Sequence, residues 1–121
     1  MRTYRYEVSK RMEIAGSHHL RLPYESKCTN LHGHNWIVTV VVGSNTLDHD
    51  MVIDFKHIKN AIHDKLDHGN LNEIFDFNPT AENIAQWIFD EVNRMRPGAD
   101  CLKVTIQESE GNIATYNKVE D

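Results

Sequence analysis

A chain of 121 residues with 13 basic and 18 acidic side chains has the length of one ordinary domain, and its formal net charge of -5 leaves no basic face for a phosphate backbone, which argues against nucleic acid as a partner. No window approaches the roughly 18 to 20 apolar residues of a membrane span, and "MRTYRYEVSK" lacks the apolar core of a signal peptide. A soluble, cytoplasmic protein is expected, with a single domain over residues 1–121 and no membrane contact.

In chain order, "TYRYEVSKRMEI" (3–14) and "NWIVTVVVG" (35–43) read as two strands, predicted to pair antiparallel. The intervening "AGSHHLRLPYESKCTNLHGH" is too long and polar for a tight hairpin and reads as a functional loop. Asp54 can cap a helix in which Phe55, Ile58, Ile62 and Leu66 recur at helical spacing, with Gly69 as its stop signal. Thr80 can cap a second helix, with Ile84, Ile88, Val92 and Met95 as its apolar stripe before Pro97 and Gly98. Two strands near "CLKVTIQE" and "ATYNKV" complete the order ββααββ. That order predicts an α+β domain, an antiparallel sheet with two helices on one face, whose exposed edges favour oligomerisation.

The chemistry concentrates early: all eight histidines fall in the first 68 residues. In "CTNLHGHNW", His32 and His34 are two apart, so on a strand their side chains leave the backbone together and could grip a metal. A catalytic zinc takes three protein ligands and keeps a fourth position open. His18 and His19 are the candidates for the third. Cys28 is open to three readings: a fourth ligand closing a structural site, a base or nucleophile standing off the metal, or a small buried residue. Cys28 and Cys101 show no CxxC spacing, and a disulfide between them is the weaker reading.

In "KLDHGNLN", Asp67 can orient His68 for acid–base work, or the two can be a helix cap and a surface imidazole. In "TIQES", Glu108 either faces solvent or, turned inward, requires a partner with two parallel N–H donors, which pterins and guanines present.

Taken together, "SHHL", "CTNLHGHNW", "VIDF", "LDHGNLN", "NPTAENIAQWI" and "IQES" resemble, in order, the 6-pyruvoyl-tetrahydropterin synthase family, over about residues 4–116. The similarity is nearest to its bacterial 6-carboxy-5,6,7,8-tetrahydropterin synthases of queuosine biosynthesis. The resemblance implies a tunnelling fold (T-fold) whose sheets join into a barrel, a homohexamer built as a dimer of trimers, and active sites at subunit boundaries. It implies zinc held by His18, His32 and His34, with Cys28, Asp67 and His68 catalytic. Glu108 would anchor the pterin ring of a pterin triphosphate substrate, and the backbone of Thr80 would line its pocket. Three residues separate Cys28 from His32, which resembles the carboxy-forming enzymes; animal pyruvoyl-forming members have a longer insertion, and side-chain-cleaving members usually carry Glu at the Cys28 position. Ile14, Gly16, Ser17 and Asp50 depart from the family pattern, where Phe, Ala, Ala and Gly are usual; they touch packing and a turn. The alternatives are a 6-pyruvoyl-tetrahydropterin synthase and a non-catalytic zinc-stabilised domain.

Overall fold

The computed structural model describes residues 3–120. Two long strands, β1 (Tyr6–His18) and β2 (His32–Ser44), pair antiparallel along their full length, from Tyr6 opposite Ser44 to His18 opposite His32. Both run further than the sequence predicts: β1 passes Ile14 to include Gly16 and Ser17, and β2 begins three residues before Asn35. Mutual pairing overrides the weak strand preference of Gly16, Ser17 and Gly33. The functional loop is thereby shortened to residues 19–31, and all three candidate metal ligands stand on strands.

β2 also pairs with β4 (Ala99–Ser109), and β4 with β5 (Asn112–Asn117), both antiparallel. The sheet is not wholly antiparallel, as the ββααββ order predicts. A two-residue strand, β3 (Gly69–Asn70), lies parallel to Gly16 and Ser17, so the sheet order is β3-β1-β2-β4-β5.

Alternation decides which face is buried. Met12 and Ile14 of β1, Trp36, Val38, Val40 and Val42 of β2, and Val104 and Ile106 of β4 point to one face, where each is at most 4% exposed. Helices cover that face. The first is composite: α1 (Phe55–Ile58), a π turn (Lys59–His63) and α2 (Asp64–Leu66), begun by Asp54, whose side chain accepts the Lys56 N–H. Ile58, Ile62 and Leu66 are buried as their spacing predicts, whereas Phe55 is 44% exposed and belongs outside the stripe. A short α3 (Leu71–Ile74), absent from the predicted order, follows β3. α4 (Ala81–Asn93) is capped by Thr80, whose hydroxyl accepts the Asn83 N–H, and it buries Ile84, Ile88 and Val92. Its helical residues end before Met95, which packs against the core from beyond the helix.

Two turns depart from the expected chemistry. The composite helix is stopped by Asp67, which leaves helical geometry, and by His68, which takes a left-handed φ of 60°; Gly69 is already strand. In the turn bridging Asp48 and Met51, His49 and Asp50 have φ of 50° and 65°, as a type I′ turn requires. No helix among the described residues is long and apolar enough to cross a membrane.

Candidate functional site

The β1–β2 register assembles the histidines. His18 lies directly opposite His32, and His34 follows two positions along the same face, so three imidazoles converge at one end of the sheet. Their ligand atoms all lie within 4.8 Å of one another. Trp36, the next inward residue of β2, meets the rings of His18 and His34 edge-on at 4.9 and 5.2 Å and closes the apolar side.

Backbone carbonyls fix two of the rings. His18 Nδ1 is 2.8 Å from the Pro79 carbonyl and His32 Nδ1 is 2.7 Å from the Asn30 carbonyl. A carbonyl can only accept, so each Nδ1 carries the proton and each Nε2 presents its lone pair. Burial pushes the His18 imidazole below its ordinary pKa, against the Pro79 carbonyl, and burial does the same to His34, against Glu108. Both rings are therefore poised as neutral ligands. The Nε2 atoms of His18 and His34 are buried without a hydrogen-bond partner. Each such orphan costs about 1 to 3 kcal/mol, and a divalent metal ion bound by three imidazoles would satisfy both while leaving a coordination position open.

Glu108 reaches the same cluster. It continues the inward series of Val104 and Ile106 on β4, and a bulge between Gln107 and Ser109 leaves it out of the pairing with β5. Its carboxylate lies 3.5 Å from His34 Nε2 and 3.9 Å from His18 Nε2. Alternation through 104, 106 and 108 carries this orientation in the sequence. Glu108 also borders a cavity of about 290 Å³ lined by the first turn of α4, beside Thr80, and by residues 111–114 at the start of β5.

Cys28 sits in a 3₁₀ turn (Lys27–Thr29). Its backbone N–H is donated to Ser26 Oγ, and its carbonyl accepts the N–H of Leu20, two residues past His18, at 2.7 Å. The turn thus folds back beside the histidine-bearing strands. Cys28 is outside the metal-competent group, and Cys28 and Cys101 are both free thiols. Burial raises Cys101 to about 12, as for an inert core thiol. His19 lies outside the group as well; its N–H is donated to Asn72 Oδ1.

Asp67 and His68 are clamped to β1. Asp67 Oδ1 accepts the Ala15 N–H at 2.9 Å, and the His68 N–H is donated to the Ala15 carbonyl at 2.6 Å. The Ala15 N–H, with His68 and His63, holds the Asp67 carboxyl below the usual range. His68 Nε2 lies 3.4 Å from Asp67 Oδ2, with its side chain 83% exposed at the rim of a cavity of about 410 Å³ that His34 and Ser17 also line. The structure brings His18, His32, His34 and Glu108 together and sets His68 on a cavity shared with His34. It does not join Cys28 to Asp67 or His68 by any hydrogen bond among the described residues. Sequence reasoning overlooks the carbonyls of Pro79 and Asn30, which only three-dimensional contact identifies.

Comparison with known proteins gives the same outline. The family model described as 6-pyruvoyl tetrahydropterin synthase matches residues 7–119. A 6-carboxy-5,6,7,8-tetrahydropterin synthase of Bacillus subtilis is 27% identical, over 93% of this chain and 86% of the relative. The human 6-pyruvoyl tetrahydrobiopterin synthase is 32% identical, over 91% of this chain and 90% of its own. The solved structure of Caenorhabditis elegans 6-pyruvoyl tetrahydropterin synthase matches with a TM-score of 0.75 at 27% identity, covering 94% of this chain and 96% of that one. The α+β fold is thus the one these relatives share.

Proposed function

The chain belongs to the 6-pyruvoyl tetrahydropterin synthase family, and we propose that it is a 6-carboxy-5,6,7,8-tetrahydropterin synthase of queuosine biosynthesis. In this reading it converts 7,8-dihydroneopterin triphosphate and water to 6-carboxytetrahydropterin, acetaldehyde and triphosphate. The observation that carries it is the cluster of His18, His32 and His34, with two buried, unpaired Nε2 atoms and Glu108 beside them.

His18, His32 and His34 would hold zinc, which suits neutral imidazoles with one position left open. When bound, zinc supplies Lewis acidity to the side-chain oxygens of the substrate. Glu108 accepts the ring's 2-amino and N3–H donors, a bidentate contact that fixes the pterin with its side chain over the histidines. The backbone at Thr80, at the start of α4, lines the ring pocket. Cys28 removes a side-chain proton, and Asp67 with His68 sets the protonation of that base and returns protons.

Among the described residues no hydrogen bond joins Cys28 to Asp67 or His68, and β3 and β5 are sheet edges, which supports a site completed between subunits of a hexameric barrel. The match over residues 7–119 supports reading the whole chain as one such domain.

A second reading, a 6-pyruvoyl-tetrahydropterin synthase without carbon–carbon cleavage, is favoured by the identity to the human protein. Against it stands the 3₁₀ turn at Lys27–Thr29, which leads into β2 with only Thr29, Asn30 and Leu31 between Cys28 and His32. Mass analysis of the products from 7,8-dihydroneopterin triphosphate, with a trap for acetaldehyde, decides between them. Carboxytetrahydropterin with acetaldehyde is expected; pyruvoyl-tetrahydropterin without acetaldehyde would establish the second reading, and no conversion by zinc-loaded protein would overturn both.

A further inference from the structure

The π turn at Lys59–His63 interrupts the composite helix four residues before Asp67. A π turn adds one residue to a helical turn, rotates the rest of the helix by about 100°, and is a rare feature found frequently at functional sites. Here it places His63 between two carboxylates. His63 Nδ1 is 3.2 Å from Asp64 Oδ1, and Lys59 Nζ holds that same oxygen at 2.9 Å. On the other side of the ring, His63 Nε2 is 3.7 Å from Asp67 Oδ2, and the His63 carbonyl accepts the Asp67 N–H at 2.8 Å.

Asp67 Oδ1 accepts the Ala15 N–H, and Oδ2 faces both His63 and His68, at 3.7 and 3.4 Å. The two rings differ in shelter, His63 being 26% exposed and His68 83%. Among the described residues, the titratable groups facing this carboxylate are those of His63 and His68, with Asp64 and Lys59 behind His63. From β1, the contact is the uncharged Ala15 backbone.

We propose that His63 is a positioning residue for the Asp67–His68 pair: anchored by Asp64 and Lys59, it fixes the outer oxygen of Asp67 at the place where His68 meets it. The inference rests on the proposed function for the role of that pair in turnover, while the coupling of His63 to Asp67 stands on geometry alone. A surface imidazole with no such role would contribute only the small stability of an exposed ion pair.

The test compares His63→Leu with His63→Gln in the zinc-loaded oligomer. Leucine removes the polar contact, whereas glutamine keeps a polar side chain with a donor facing Asp67. His63→Leu is expected to lower kcat for 7,8-dihydroneopterin triphosphate about ten- to a hundredfold with KM within about twofold, as for a group mispositioned by less than an ångström. His63→Gln restores most of it. A second readout needs no turnover: the Asp67 carboxyl, followed by carbon-13 NMR, titrates higher in His63→Leu than in the wild type, because one of the groups lowering it is gone. If His63→Leu does not fold, His63→Ala, which removes the imidazole and changes no carboxylate, is expected to move the same carboxyl in the same direction. Unchanged kcat and an unmoved Asp67 carboxyl in a folded variant would overturn the inference, as would equal losses in the leucine and glutamine variants. Wild-type protein that converts no pterin while its Asp67 carboxyl still responds to His63 would overturn the proposed reaction and leave the coupling standing.

Discussion

His34 Nε2 and Glu108 Oε1 face each other at 3.5 Å between adjacent strands β2 and β4, so the carboxylate proposed to hold the pterin ring stands at the metal-competent cluster itself. In the proposed function, ring anchoring and metal binding would draw on neighbouring but separate groups. Glu108→Ala is expected to weaken pterin binding by about 10- to 100-fold, the loss of roughly 1.5 to 3 kcal/mol for hydrogen bonds to a charged group. Zinc content should stay at the wild-type level, because His18, His32 and His34 are untouched. Calorimetric titration with substrate, beside metal analysis of the same sample, checks both halves; a loss of zinc would make Glu108 part of the metal site instead.

Cys28 stands outside the histidine group, on a 3₁₀ turn tied by its backbone to Leu20 and Ser26. Cys28→Ala should accordingly keep both fold and zinc while lowering turnover by at least about a hundredfold, the usual contribution of a positioned proton-transfer group. Metal analysis and product formation on one preparation separate this from a ligand role, in which zinc would be lost together with activity.

The Asp67 carboxyl is held below its ordinary range chiefly by the Ala15 N–H, and this links stability to pH with a definite sign. A depressed carboxylate contributes stability that is fully present above its unfolded pKa and is lost as pH falls through the folded value. Asparagine can still accept the Ala15 N–H but carries no charge. The difference in Tm between wild type and Asp67→Asn should be constant above about pH 5 and shrink steadily below about pH 4. Thermal melts from pH 7 to pH 3 measure it, and a difference that does not change with pH would mean that the charge adds nothing to the clamp.

The parts legible in the sequence are those that local pattern determines. The paired His32 and His34, the caps at Asp54 and Thr80, and the stripes of Ile58, Ile62, Leu66 and of Ile84, Ile88, Val92 follow from spacing and side-chain chemistry. The features decided by pairing are not legible. Gly16 and Ser17 have no strand preference of their own, so only β2 on one side and β3 on the other show that β1 reaches His18, and only then does His18 separate from His19. Gly69 and Asn70 are a strand solely because β1 lies beside them. The π turn has no local signature either; it becomes visible where His63 meets Asp67.

Gly69 itself illustrates how the fold constrains the site. Its backbone is not left-handed, so its need for glycine is steric. A Cβ there would fall 2.6 Å from Ile74 Cδ1, which can swing away, and 3.0 Å from the Leu66 carbonyl oxygen, which can yield only if the end of α2 moves. Asp67 and His68 lie between Leu66 and Gly69, and Gly69 pairs with Gly16 one position from the Ala15 clamp. Relief of the clash therefore displaces the Asp67–His68 pair rather than the histidine cluster. Gly69→Ala is expected to cost about 1 to 3 kcal/mol in stability, the range for overpacking, and to lower kcat while zinc content holds. Denaturant melts, zinc analysis and steady-state kinetics on one preparation test this; unchanged kcat in a destabilised variant would show that the pair tolerates movement of its backbone.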